Sequence, residues 1–377
     1  MLCPQDILLC LTVSASTDII SPMKRATRAD VAVKAGVSKT TVTYALGNRY
    51  EFAIPEETRD RVRVAAKQLG YFPHPIAQAL TSGRTNSITV AFPDRIGAHY
   101  SRVLQAFERA TNAQGYHMIA STVGHVSFDN AALDLNELLG NLTDGIVLVD
   151  MPGVFQSSID ALLPSNKPIV SMGVFTVPGI DGIQVDLRKG TAAALQHLLQ
   201  ADPARLAFFG PRLADGSPAS AGTHVTFAED ARPSAYREAM TAAGRPWEEI
   251  AGHPSDRKAN MESLWAHIAA FGCPDALFCF NDDVAMSAYR ALRETGYRIP
   301  QDVLVVGCDG SEEAEYAFPA LTTIVQPIDR MCSLAWEALA RRLHSPGGPE
   351  QQITVDSELA IRASSIRTPK NSTGDGP

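Results

Sequence analysis

From residue 87 to residue 355 the chain keeps returning to one alternation: a short apolar run, then a longer stretch with helical spacing of its apolar positions. The runs at 87–92, 117–121, 145–149, 169–172, 183–185, 206–209, 276–280, 303–306 and 352–355 read as strands, with residues 359–362 close behind the last of them. The stretches at 100–114, 131–139, 190–200, 234–243 and 284–296 read as helices. Continuous apolar strands that alternate with helices imply parallel sheets covered on both faces. The length suits two such lobes, with the chain expected to cross between them near 154–165 and 321–327. In open parallel sheets ligands sit beyond the carboxyl ends of the strands. The polar residues there are therefore the candidates for a site: Asp94, Ser121, Asp150, Asp186, Asn281, Asp282 and Asp309. Each has a second reading, because Asp and Asn also cap helices that follow strands.

Composition narrows the class. The chain has 377 residues and is 45% hydrophobic, enough for two to four units with real cores. No stretch of about 20 apolar residues is present, so no membrane span is expected. The six cysteines are scattered without a C-x-x-C pair, which reads as reduced thiols in a cytoplasmic protein. The net charge of −8 argues against nucleic acid, but its distribution argues the reverse. Residues 23–84 hold eleven Lys and Arg against five acidic residues, a net +6, while residues 85–377 carry −12. A basic head on an acidic body suits a protein whose head meets phosphate. Residues 1–23 stand apart: an apolar run at 7–13 follows Asp6 with no Lys or Arg before it, so a secretory signal is not expected, and the segment reads as a disordered extension or start-site artefact.

The head explains its own charge. Thr27 and Asp30 form a capping box, and Gly36 suits the left-handed end of a short helix. Ser38 caps a second helix whose inner face is Val42, Ala45 and Leu46. A short helix, a turn with glycine and a second capped helix make a helix-turn-helix. Lys39, Thr40, Thr43 and Tyr44 occupy the outer face of the second helix, where they can meet base edges in a major groove. Pro55, Glu56 and Glu57 open a third helix carrying Val62, Ala65, Ala66 and Leu69, which ends at Gly70. Residues 71–75 cannot continue a helix, and 76–80 form a short helical run before a flexible 81–84.

The segments Asp30-Val31-Ala32, Ala35-Gly36-Val37-Ser38, Thr41-Val42-Thr43, Glu56-Glu57-Thr58-Arg59, Leu69-Gly70-Tyr71 and Ala77-Gln78-Ala79-Leu80, in that order, resemble the head and hinge of the LacI/GalR family of repressors. Further landmarks extend the resemblance into the core: Arg232 to Ala239, Asn281-Asp282, Ile299 to Val303, Val306-Gly307-Cys308-Asp309, Leu321 to Ile324 and Gln326-Pro327. The resemblance implies a helix-turn-helix head joined to a two-lobed α/β core of periplasmic-binding-protein type. Carried over position by position, it implies DNA contacts from Thr27, Ser38, Lys39, Thr40, Thr41, Thr43, Tyr44, Asn48, Tyr71 and Ala77, with Leu80 wedged into the central base step of the operator. It implies effector contacts from Arg232, Asn281 and Asp309. Tyr100, Asp94 and Asp186 are further candidates beside them.

Three departures stand out. Tyr44 occupies a position where many members carry Arg. His74-Pro75 replaces the usual residues before the hinge, and Gly97-Ala98-His99-Tyr100 replaces an Asn-Pro-Phe-Phe-like segment beside the presumed pocket.

The expected organisation is therefore 1–23 extension, 24–72 helix-turn-helix domain, 73–85 hinge helix and linker, 86–362 core, and 363–377 disordered tail. The expected activity is repression: a homodimer on a palindromic double-stranded operator in the cytoplasm, nucleoid-associated, controlled by a small molecule, sugar-like in preference to purine. Two other classes compete. A transport solute-binding protein shares such a core but needs an export signal and no helix-turn-helix. An enzyme needs machinery the sequence lacks: there is no Gly-x-Ser-x-Gly, no metal-spaced His/Cys cluster and no phosphate loop. No cofactor and no metal are expected.

Overall fold

A computed structural model describes residues 26–46, 54–72, 79, 83–93, 97–123, 143–151, 155–175, 177–211 and 230–367. Contacts divide the chain into two units, residues 1–83 and 84–377.

The first unit is a three-helix head. Helix α1 (Arg28–Ala35) opens on the capping box: Asp30 N donates to Thr27 Oγ1 (3.4 Å) and Thr27 N to Asp30 Oδ2 (2.8 Å). It stops at Gly36, whose φ of 66° is left-handed and costs glycine nothing. Helix α2 (Lys39–Leu46) follows after three residues, and α3 (Glu56–Leu69) closes the bundle. Val31, Ala32, Val42, Ala45, Val62, Ala65 and Ala66 are buried where the helices meet. Small residues in that list let short helices cross closely enough to bury the valines.

The second unit holds two six-stranded sheets. The first lobe contains β1 (Ser87–Pro93), β2 (His117–Val123), β3 (Gly145–Val149), β4 (Ile169–Gly173), β5 (Asp181–Asp186) and β11 (Gln352–Asp356), in the order β11-β5-β4-β3-β1-β2. The second contains β6 (Leu206–Gly210), β7 (Glu249–Ala251), β8 (Ala276–Cys279), β9 (Leu304–Asp309), β10 (Thr322–Val325) and β12 (Glu358–Ala360), in the order β12-β10-β9-β8-β6-β7. All pairings are parallel except that of β10 with β12.

The strands show why they read as unbroken apolar runs. Along β3, Val147 and Val149 join one core, while Ile146 and Leu148 join another with Phe155, Ile159 and Leu162 around α5 (Gln156–Leu162). Both faces are buried, at about 1.5–3 kcal/mol for each large apolar side chain. Helix α4 (Ala98–Asn112) contributes Val103 and Phe107 to the first of these cores.

The crossings differ from expectation. The described part of the expected 154–165 crossing, residues 155–165, does not cross; Gln156–Leu162 form α5 and Leu163–Ser165 a short 3-10 turn between β3 and β4 of the first lobe. The apolar turn there resembled a linker because α5 is short. The chain crosses instead after Asp186, where α6 (Leu187–Gln200) leads to β6. It returns after Val325, inside the expected 321–327, into α10 (Ile328–His344). Helix α10 packs on the first lobe: Arg341 and Arg342 bond the buried Asp181 of β5. A third crossing joins Asp356 of β11 to β12. The core also continues past Arg362. Ser364 and Ser365 are buried, Ser364 Oγ donates to Val305 O (2.6 Å), and Thr322 N donates to Ser364 Oγ (2.8 Å), so 363–367 belong to the second lobe and not to a tail.

Candidate functional sites

The outward face of α2 is the first site. Ser38, Lys39 and Thr40 are exposed, and Thr43 and Tyr44 half-buried. Ser38 and Thr41 serve the helix as caps: Thr41 N donates to Ser38 Oγ (3.0 Å), and the two hydroxyls share a bond of 2.9 Å. Thr27 is likewise part of the α1 cap. The Thr43 hydroxyl donates to Lys39 O (3.1 Å) and accepts from Arg28 Nη1 (3.0 Å). Tyr71 packs half-buried against the helical core. Asn48, Ala77 and Leu80 lie outside the described residues.

The second site lies between the lobes, at the carboxyl ends of β3 and β9. Asp309 ends β9 with a φ of 133°, a conformation that L side chains rarely adopt. Its carboxylate accepts from Gln326 Nε2 (3.0 Å), on the strand-to-helix crossing. From the first lobe, α4 reaches across. Arg102 Nη1 donates to Asp309 O (3.2 Å) and Gly310 O (2.6 Å). His99 stands between two carboxylates, Nε2 3.7 Å from Asp150 Oδ2 and Nδ1 3.8 Å from Asp309 Oδ1. Both gaps are too long for hydrogen bonds, and Nδ1 is buried with no bond among the described residues. Asp150 is fixed by Val174 N (2.8 Å), and a Cβ on Gly173 would meet its Oδ1 at 2.0 Å.

Electrostatics follow from that placement. Burial pushes the Asp309 carboxyl up to about 7, against the opposing pull of His99 and then Arg232. Burial pulls His99 down, but Asp309 and Asp150 outweigh it and hold the imidazole above its ordinary value. Tyr100 sets its ring edge-on to His99 (5.1 Å) and Phe92 (5.5 Å), and burial together with the same two carboxylates raises its phenol well above the usual range.

Arg232, in α7 (Ala231–Ala242), is buried and already partnered. Its Nη2 and Nε donate to Asp230 (2.6 and 2.9 Å), its Nη1 to Phe280 O (2.8 Å), and its guanidinium lies 3.6 Å from the centre of the Phe280 ring. Burial alone would favour the neutral guanidine, and Asp230 outweighs it.

The remaining candidates divide. Asn281 caps α9 (Asp282–Glu294) through Val284 N (2.9 Å) and spends its amide on Pro254 O (2.8 Å). Asp186 caps α6 through Lys189 N (3.2 Å). Asp282 is buried and structural, accepting from Thr323 Oγ1 (2.6 Å) and Ser311 N (2.8 Å). Asp94 lies outside the described residues.

Sequence reasoning did not single out Asp230, His99 or Arg102. The spacing of Asp230 from Arg232 was a signal for the first, and the departing segment Gly97-Ala98-His99-Tyr100 beside the presumed pocket was one for His99; nothing local marked Arg102. Among the described residues no group of His, Cys, Asp or Glu is placed to hold a metal ion. Burial pushes the thiols of Cys273 and Cys332 up to about 12 and raises those of Cys279 and Cys308 as well.

Two family models match the chain: bacterial regulatory proteins, lacI family, over residues 27–74, and the periplasmic binding protein-like domain over 195–365. The HTH-type transcriptional repressor PurR of Yersinia pestis bv. Antiqua (strain Antiqua) is 30% identical over 356 residues, 93% of this chain and 98% of that protein. The HTH-type transcriptional regulator DegA of Bacillus subtilis (strain 168) is 28% identical over 348 residues, 89% of this chain and 96% of that one. The lac repressor dimer bound to operator and the anti-inducer ONPF has a similar fold, with a TM-score of 0.74 at 22% identity over 91% of this chain and all of that one. The transcriptional regulator CelR in complex with cellobiose gives 0.63 at 24% identity over 90% of this chain and all of that one.

Proposed function

Because this chain belongs to the LacI family of bacterial regulatory proteins, we propose that it represses transcription in the cytoplasm as a homodimer on a palindromic operator, and that a neutral polyhydroxylated molecule of the sugar class controls it. The observation that carries the reading is the contact of both lobes on one residue. Arg102 of the first lobe donates to the backbone carbonyl of Asp309 in the second, and His99 of the first stands 3.8 Å from its carboxylate. A ligand that takes Asp309 must change that contact, and so the angle between the lobes.

The chemistry of the cleft supports the ligand class. Asp230 already occupies one edge of the Arg232 fork, so a carboxylate or phosphate finds a guanidinium that is neutralised. Asp309, Asp150 and His99 offer acceptors and a donor spaced for hydroxyls. Purines remain the second class to test, since a relative is the repressor PurR. The homodimer follows from the operator reading, because a palindrome presents two equal half-sites related by a two-fold axis. Among the described residues no helix is long and apolar enough to cross a membrane.

The test is selection of DNA from a random pool at fixed moderate salt, then gel-shift competition with hexoses, disaccharides and purine bases. A palindrome whose binding changes with one sugar is expected. Enrichment of no site, with or without those compounds, overturns the reading.

A further inference from the structure

The face of α2 carries a guanidinium that α2 does not encode. Arg28 is the first residue of α1, yet its Nη1 donates to Thr43 Oγ1 at 3.0 Å, 15 residues on. The Thr43 hydroxyl gives its own proton to Lys39 O at 3.1 Å. That hydroxyl therefore has its single proton committed and a lone pair engaged, so it acts as a tether in place of a reader. The bond uses one of the five N–H donors of the guanidinium. Arg28 is exposed, and among the described residues it makes no ion pair and no other hydrogen bond.

Helix stability does not account for Arg28. A cation in the first helical turn opposes the helix dipole and costs a few tenths of a kcal/mol. Its alternative use is recognition. The neighbouring side chains on the face are an ammonium (Lys39), a hydroxyl (Thr40) and a phenol (Tyr44), and none of these is a planar fork with two parallel donors. A guanidinium is, and it matches the O6 and N7 of guanine in the major groove.

We propose that Arg28 is a specificity-determining residue of the head, set by Thr43 to read one guanine in each half of the operator. The proposal rests on the DNA-binding reading above. The role belongs to α1, so the reading surface is formed by two helices and the phenol of Tyr44 is left to pack beside the fork.

The experiment is parallel selection from a random DNA pool by the full chain, Arg28→Ala and Arg28→Lys. Binding titrations then follow at several salt concentrations, on the wild-type site and on sites with each base pair changed in turn. Wild type is expected to lose roughly tenfold or more when one G·C pair of each half-site is replaced. Arg28→Ala is expected to bind all four bases at that position within about twofold while keeping its preferences elsewhere. Arg28→Lys keeps the charge without the fork, so it should keep the wild-type salt slope and lose the same single preference. Thr43→Val, which frees the fork, should weaken that preference in part. Unchanged melting of the head checks that each variant is folded. The proposal is overturned if Arg28→Ala retains every base preference and binds more weakly by a uniform factor with a salt slope reduced by about one, the mark of a phosphate contact. If wild type itself selects no site, the DNA-binding reading fails first and the proposal with it.

Discussion

Arg28 and Arg232 carry the same group and are handled in opposite ways. Arg28 lies on the surface of the head with one hydrogen bond to a threonine hydroxyl. Arg232 is 6% exposed beside a fully buried Asp230, bonded on two edges and stacked on Phe280. The first leaves most of its donors for a partner, so its worth lies in binding. The second has its donors committed within the fold, so its worth lies in holding a cleft in shape. An arginine at a site is thus informative only once its partners are known.

The largest test of that contrast is Asp230→Ala. It strands a buried guanidinium and should cost the core about 3–5 kcal/mol in urea denaturation. The three tryptophans, Trp247, Trp265 and Trp336, all belong to the core and report it alone. A loss below about 1 kcal/mol would show that Phe280 and its carbonyl suffice to hold Arg232.

The next effect is on pH. Asp309 binds its proton more tightly in the folded chain, at about 7 against 3.8 for a free side chain. Folding stability therefore falls as pH rises from about 4 to about 7. His99, held above 6.5, adds stability that is complete below 6.5 and is lost as pH rises through its higher folded value. Both act in one direction, so the core should melt about 5 °C lower at pH 8 than at pH 5. Asp309→Asn should flatten most of that slope. A core whose melting rises over this range would remove both groups from the account.

Smaller still is Thr27→Ala, which loses the α1 cap and should cost the head about 1 kcal/mol by far-UV circular dichroism. Arg28→Ala should cost less than about 0.5 kcal/mol, because an exposed side chain with one bond holds little together. A larger loss would make Arg28 a structural residue after all.

Much of this was legible in the sequence, and the reasons differ by region. The head reads directly because its signals are local: Thr27 with Asp30, Gly36, and Ser38 each act within a turn. The strands of both sheets read well because Val147 and Ile146 are buried on opposite faces and leave no polar gap. Helix α10 was missed although Ile328, Met331, Cys332, Ala335, Trp336 and Leu339 follow one stripe. Helix α8 (Arg257–Phe271) was missed with better cause, since it buries only Asn260 and Leu264 and shows almost no apolar face. In the cleft, Arg232 and Asp309 were visible from motif and strand end. Their partners were not: His99 and Arg102 reach Asp309 across more than 200 residues of chain. Asn281 shows the opposite limit, for a motif position whose two ends are both spent on the fold.

The triple crossing sets the order in which the molecule can be finished. The sheet that begins first, at Ser87, has its edge completed by Gln352–Asp356, and the second sheet waits for Glu358–Ala360. A chain leaving the ribosome thus exposes an open sheet edge for most of its synthesis, and neither lobe closes until the last strands emerge together. Truncation just before Gln352, which removes both of the last strands, would not trim the protein at one end. It would leave both halves unfinished at once, and such chains should be cleared by quality control as whole molecules.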